Sequence, residues 1–274
     1  MKYNFDCISD IHLDFYVRVD NPEPKVRKNI KEFVKTILPE TQQEVLVIAG
    51  DLGHYNHQNL WLLEELKEYY KYILLVAGNH DYYLVSSNVS SKYKSSSLNR
   101  INEMKQLCSK LSDVHYLDGD IFIHNGIRYG GVGMWYDFSY SNKVFGKSKD
   151  AIYSLWKDVM NDSRLIKGMG SFYDLDLFTE EDIKLNTIID YSDVLITHVG
   201  CEWSRIPHEY KFDHVTSFYY FNGEDYFNKI SNKVWIFGHT HKRYDYEAHG
   251  CRFINCSLGY PSEKRHNKIV NISN

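Results

Sequence analysis

The chain has 274 residues, 43% hydrophobic and 25% charged, the balance of an ordinary soluble globular protein. A formal charge of −4 and a pI near 6.3 argue against a general nucleic-acid binder, which would carry a basic footprint. No apolar run approaches the roughly 20 residues of a membrane-spanning helix. The opening Met1-Lys2-Tyr3-Asn4-Phe5-Asp6 lacks the apolar stretch of a secretory signal. The five cysteines are scattered, odd in number and form no C-x-x-C, which suits reduced thiols. A cytoplasmic protein with no membrane partner is expected.

In chain order, Tyr3 to Ser9 reads as a first strand ending at Asp10. Pro22 and Pro24 precede Val26, Ile30, Phe33, Val34, Ile37 and Leu38, an apolar stripe at helical spacing with proline near its start. Val45 to Ala49 is continuously apolar, as in a strand buried on both faces, and stops at Gly50-Asp51. Asn59 to Tyr70 reads as an amphipathic helix, and Tyr72 to Ala77 as a buried strand stopping at Gly78-Asn79. Alternation of strand and helix signals right-handed parallel crossovers. Residues 85–97 are serine-rich and aperiodic, so an exposed loop is expected. Leu98, Ile101, Leu107 and Leu111 suggest a helix, and Asn125-Gly126 a hairpin. Residues 134–192 are the least regular, with Thr179-Glu180-Glu181-Asp182 expected as a capping box that opens a helix. Val194-Leu195-Ile196 and Val234-Trp235-Ile236-Phe237 are strands ending at Thr197-His198 and Gly238-His239. Tyr244–Ala248, Cys251–Cys256 and Lys268–Ile272 read as antiparallel strands.

Five strands thus end at metal-type ligands: Asp10-Ile11-His12, Gly50-Asp51, Gly78-Asn79-His80-Asp81, Thr197-His198 and Gly238-His239-Thr240-His241. In open α/β sheets the C-terminal strand ends converge on one rim. Asp10, His12, Asp51, Asn79, His198, His239 and His241 offer more mixed nitrogen and oxygen ligands than one four-coordinate zinc takes. With one carboxylate bridging they suit two ions of the manganese, iron or zinc type. Four histidines argue against calcium or magnesium. Paired ions ~3.5–4 Å apart activate water and clamp the oxygens of an in-line displacement at phosphorus.

These motifs, in this order and strand context, closely resemble the calcineurin-like metallophosphoesterase signature over about residues 3–258. The resemblance implies a four-layer α-β-β-α sandwich of two mixed sheets flanked by helices. It implies a single domain over residues 1–274, with irregular insertions at about 82–97 and 134–178. Asp10, His12, Asp51 and His241 would hold one metal, and Asp51, Asn79, His198 and His239 the other, with Asp51 bridging. His80 would be the catalytic histidine and Asp81 its orienting carboxylate; Asn79 would also stabilise charge and, with His80, contact substrate. The implied cofactors are two divalent or trivalent ions (Mn2+, Fe2+/Fe3+ or Zn2+). The implied reaction is hydrolysis of small phosphomonoesters or phosphodiesters, cyclic nucleotides included, by a metal-activated hydroxide.

Three departures qualify the match. Phosphoprotein phosphatases of this kind follow Gly-Asp with an arginine, whereas Leu52-Gly53-His54 follows here. Many small members carry a second histidine after Thr-His, where this chain has Val199. The usual Asn-Pro-x-Gly-Tyr is Asn255-Cys256-Ser257-Leu258-Gly259-Tyr260. A Ser/Thr phosphatase, a DNA nuclease and a non-catalytic scaffold of the same fold are the alternatives; nucleic acid is expected only as a nucleotide-type substrate. Trp135 is a candidate base-stacking platform beside ordinary packing. Gly130-Gly131-Val132-Gly133 lacks the lysine of a phosphate loop. His54 and His57 are expected as solvated loop histidines, and Cys201 as a bystander.

Overall fold

The computed structural model describes residues 3–263 and 267–273; Met1, Lys2 and His266 lie outside them. Its strands are β1 (Asn4–Ile8), β2 (Val45–Ala49), β3 (Tyr72–Val76), β4 (Val114–Tyr116), β5 (Asp120–His124), β6 (Ile127–Gly131), β7 (Val194–Ile196), β8 (Val234–Phe237), β9 (Tyr244–Ala248), β10 (Cys251–Asn255) and β11 (Val270–Ser273). They form a five-stranded sheet, β11-β1-β2-β3-β4, and a six-stranded sheet, β5-β6-β7-β8-β10-β9. Both are mixed. β1 to β4 run parallel with β11 antiparallel on the edge, and β6, β7, β8 and β10 run parallel with β5 and β9 antiparallel.

Side-chain alternation along the continuous apolar strands builds the layers. Val45, Val47 and Ala49 of β2 face Val194, Ile196, Val234 and Ile236 in the core between the sheets. Leu46 and Ile48 face the other way, against Val26, Ile30 and Val34 of helix Glu23–Ile37 and Leu62, Leu63 and Leu66 of helix Asn56–Leu66. On the far side Leu195, Trp235 and Phe253 pack on Trp156 of helix Lys149–Val159 and Leu185 of helix Asp176–Ile188. This is the expected four-layer sandwich. Among the described residues no helix is long and apolar enough to cross a membrane.

The irregular segments hold more order than their composition suggests. Residues 85–97 are not one exposed loop. Ser86 caps a helix over Ser87–Lys92, its Oγ accepting the Val89 N–H at 3.2 Å, and Tyr93 and Ser97 are buried. Serine favours helix starts by just this side-chain bond, so a serine-rich stretch can signal a cap as well as a loop. The 134–178 stretch carries helices Ser139–Phe145, Lys149–Val159 and Asp162–Leu165. The helix assigned to a capping box at Thr179 starts earlier, at Asp176, which puts Thr179 inside it. The Asn125-Gly126 hairpin forms with both residues at positive φ, 50° and 78°.

Helix Ser97–Cys108 contributes one polar anchor beneath the strand ends. Arg100 is fully buried and donates to the carbonyls of His80 (2.6 Å), Tyr83 (3.2 Å) and Gly53 (2.5 Å), tying two rim loops together. Arg100→Met leaves these buried carbonyls without their donors. It is expected to cost about 2–4 kcal/mol, read by urea denaturation; a cost within that of an exposed Arg18→Met control would refute the anchoring role.

Candidate metal centre

The strand ends of both sheets meet at one rim. His198, after β7, directs Nδ1–H onto the Ala49 carbonyl of β2 at 2.8 Å, and the His239 N–H after β8 lies 3.1 and 3.0 Å from the two Asp10 carboxylate oxygens. The backbone is bent hard there. Asp10, His12, Asp51, His239 and His241 all have φ between 44° and 66°, the left-handed region that non-glycine residues seldom adopt. Such conformations cost roughly 1–3 kcal/mol each and cluster where function demands a side-chain direction. Close approach explains the neighbouring glycine: a Cβ on Gly78 would lie 2.2 Å from Asp51 Oδ1.

All seven expected ligand residues come together. Asp10, His12 and His241 form one group, Asp10, Asp51 and His198 another, and His12, Asp51 and His80 a third, each with ligand atoms within 4.8 Å of one another. His12 Nε2 and His241 Nε2 stand 3.0 Å apart, while His12 Nδ1 is buried without a partner. Asp51 Oδ2 is 3.7 Å from His12 Nε2 and 3.4 Å from His198 Nε2, so this carboxylate spans both groups. Asn79 Oδ1 lies 3.1 Å from His198 Nε2. His239 donates Nε2–H to the Phe218 carbonyl at 2.9 Å, leaving Nδ1 as its lone-pair nitrogen. Buried carboxylates and converging imidazole nitrogens are a donor set that fits divalent cations.

Neighbouring groups fix the ligands. Ser9 Oγ donates to Asp10 Oδ2 at 2.6 Å and Ser257 Oγ lies 2.7 Å from the same oxygen. Ser257 belongs to the segment that departs from Asn-Pro-x-Gly-Tyr, and Asn255 of that segment donates to the Gly238 carbonyl at 2.7 Å. His241 Nδ1 is held by Glu263 at 3.0 Å. Burial alone would lower the pKa of His198 and His241. Asp51 beside the first, and Asp10 with Glu263 around the second, overcome it and raise them to about 9 and about 10. Burial pushes His12 down to about 4. It would raise Asp51, but His198 and His80 hold that carboxyl well below its ordinary value.

Asp81 does not orient His80. Its carboxylate accepts the backbone N–H groups of Gly78 (2.8 Å), Asp51 (2.9 Å) and Leu52 (3.2 Å), and burial, then Asp51, raise its pKa to about 6. The ring partner of His80 is His54, expected in solvent but buried here, with His54 Nε2 2.9 Å from His80 Nδ1. Behind it Asp14 accepts from His54 Nδ1 at 2.8 Å and from the His54 backbone N–H at 2.9 Å. A carboxylate only accepts, so Asp14 takes the hydrogen bond from His54 Nδ1–H, and His54 Nε2 stands against His80 Nδ1. His80 Nε2 is left towards the site, 3.4 Å from the Tyr260 hydroxyl. His57 is exposed, as expected.

Trp135 is no stacking platform: it is 3% exposed and packs on Tyr82 and Phe172. Cys201 is buried with a raised pKa, in keeping with a bystander. Asn79 cannot offer its amide hydrogens freely to a substrate, because Nδ2 donates to Asp162 Oδ1 (2.8 Å) and the Tyr83 hydroxyl (3.0 Å). A cavity of about 470 Å3 opens on Asp51, Asn79, His80, His239 and His241 and is walled on its far side by Val159, Met160, Ile206, Pro207, Tyr210 and Val215. Of the loops expected to shape it, 82–97 gives only Tyr83 and 134–178 only 159–161, while 206–220 supplies much of the wall.

A four-layer sandwich with converging aspartate, asparagine and histidine at its strand ends defines a metallophosphoesterase-type protein. Residues 3–243 match the calcineurin-like phosphoesterase family, to which the chain belongs. An uncharacterised protein of Acanthamoeba polyphaga mimivirus is 24% identical over 279 aligned residues, covering 94% of this chain and 91% of that protein. The crystal structure of a phosphopantetheinyl hydrolase from Mycobacterium tuberculosis superposes with a TM-score of 0.71 at 19% identity, over 97% of this chain and 95% of that one. The family and this neighbour are phosphoester hydrolases.

Without metal, His198 and His241 hold protons at neutral pH, in line with pKa values raised to about 9 and about 10. A cation taking their Nε2 lone pairs must displace those protons. Manganese affinity is therefore expected to rise with pH up to about 9, with proton release seen by titration calorimetry in buffers of different ionisation enthalpy. Flat affinity without proton release would contradict the protonation pattern.

Proposed function

We propose that the chain is one metallophosphoesterase domain over residues 1–274 that hydrolyses small phosphomonoesters or phosphodiesters at a binuclear centre. The observation that carries this is the overlap of the ligand groups, with Asp51 Oδ2 standing 3.7 Å from His12 Nε2 and 3.4 Å from His198 Nε2. Asp10, His12, Asp51 and His241 would hold one ion, and Asp51, Asn79, His198 and His239 the other, manganese, iron and zinc all suiting the donors. Once bound, such ions supply an activated water and neutralise charge on the phosphoryl oxygens.

The chain's own residues supply the proton. His80 is part-buried beside Asp51, and burial holds its pKa well below the ordinary value, so the free site keeps it neutral. An anionic phosphoryl group arriving next to it favours the protonated form. Nε2–H then faces the ester oxygen and passes its proton to the leaving alkoxide, while His54 and Asp14 keep Nδ1 engaged and the ring in place. A cavity of about 470 Å3 with a lining of mixed polar and apolar side chains supports a small organic ester, cyclic nucleotides among them, over a phosphorylated protein surface. The complete ligand set favours an enzyme over a scaffold.

Three variants separate these roles in an assay of phosphomonoesters, cyclic nucleotides, dinucleotides and phosphopeptides with manganese, alongside metal analysis by mass spectrometry. Asp51→Asn is expected to lose metal and activity together. His80→Ala should keep metal and lose about 100- to 10,000-fold in kcat. His54→Ala should keep metal and lose about 10- to 100-fold. Full activity in Asp51→Asn or in the metal-free protein would sink the mechanism.

A further inference from the structure

Asp162 is fully buried, and the mechanism above does not use it. It lies in the short helix Asp162–Leu165, inside the stretch that sequence patterning leaves irregular. Its carboxylate has two distinct ends. Oδ1 accepts from Asn79 Nδ2 at 2.8 Å and from the Tyr83 hydroxyl. Oδ2 accepts from the Tyr136 hydroxyl at 2.5 Å, and that hydroxyl accepts in turn from Trp156 Nε1 at 2.5 Å. Asn79, Tyr83 and Tyr136 thus all donate to one buried carboxyl group, and Trp156 backs the Tyr136 hydroxyl.

The hydrogen-bond geometry at that carboxyl group bears on how Asn79 sits. An amide has one acceptor end and one donor end, and the two are nearly isosteric, so packing alone does not choose between them. A carboxylate accepts and never donates, so the amide must turn its NH2 towards Asp162. Its oxygen is then turned to His198 Nε2, 3.1 Å away, where a cation needs an oxygen donor. The opposite orientation would place N–H dipoles at the ion and leave two oxygens facing each other in a buried site.

We propose that Asp162 is a positioning residue for the Asn79 side of the metal centre: it fixes the amide orientation so that Oδ1 serves as ligand. The proposal rests on the binuclear reading above. A segment outside the five ligand clusters would then be required for the second ion to bind.

The network also dictates the test. In Asp162→Leu, neither the Asn79 NH2 nor the Tyr83 hydroxyl has its acceptor, and the amide is free to turn round. The double variant Asp162→Asn with Asn79→Asp inverts the hydrogen bonds instead: residue 162 now donates, residue 79 presents oxygen on both sides, and the Tyr83 hydroxyl reverses its role. Net charge is unchanged.

Each purified full-length protein would be loaded with manganese, freed of excess and counted by mass spectrometry, with circular dichroism and thermal melting as checks on folding. Wild type is expected to hold two ions per chain, Asp162→Leu one, the double variant two, and Tyr136→Phe, which leaves Oδ1 untouched, two. Two ions in Asp162→Leu, or a folded double variant that still holds one, would overturn the proposal. So would a loss in Tyr136→Phe equal to that in Asp162→Leu, because packing of the network would then be the cause. Should Asp162→Leu not fold, the double variant decides alone. A wild type holding fewer than two ions would instead refute the binuclear reading on which the proposal rests.

Discussion

Two carboxylates, Asp10 and Asp51, are buried to 0% and 1% exposure at the meeting of two sheets, and most of the local structure follows from that. A buried ion is tolerated only when it is paired and hydrogen-bonded. Without metal the compensation is protonic, from His198 and His241, whose pKa values rise for that reason. Hydrogen bonds add the rest: Asp10 takes Ser9, Ser257 and the His239 N–H, and Asp51 takes the His80 N–H at 2.8 Å. The left-handed turns at five ligand residues are the cost of aiming these side chains at one point from strands that run past each other. Asp81 secures one of those turns, at Asp51, through the backbone N–H groups of Asp51 and Leu52, which is a structural duty.

The sandwich and the convergence of the candidate ligands on one rim were legible because they rest on short-range signals. Continuous apolar runs such as Val45–Ala49 mean a strand covered on both faces, and ligands at strand ends share a rim whatever their distance in sequence. The residues that orient the ligands carry no such signal. His54 stands three residues after Asp51 in a loop, and only the turn at Gly53 and the placement of Asp14, 40 residues earlier in the chain, turn it inward. Asp162 is 83 residues from Asn79, in a stretch whose helices are short and lack a clear period. Ser-rich 85–97 misled for a related reason, since the same side chain caps helices and decorates loops.

The aromatic residues show how one position alters a reading. Trp135 and Tyr136 follow the same strand, and alternation sends them to different neighbours. The indole went into the core against Tyr82 and Phe172. The phenol went under the metal centre, where its hydroxyl meets Asp162 and its ring lies nearly parallel to His239, at 15°. A sequence motif locates such a pair without saying which member faces the chemistry.

A shared physical device runs through both halves of the site. Several of these groups have two nearly equivalent ends, and in three places a carboxylate engages one of them. Asp14 accepts from His54 Nδ1, and His54 Nε2 in turn engages His80 Nδ1. Asp162 sets the direction of the Asn79 amide. Glu263 occupies Nδ1 of His241 and leaves Nε2 for the centre. Metal-type ligands fix where the chemistry can happen, and these outer carboxylates fix which atom of each ligand is presented there. The choice is made by hydrogen-bond polarity and hardly at all by shape, so what Asp162 and Asp14 contribute is an acceptor at a fixed place, which the packing of the sandwich does not itself supply.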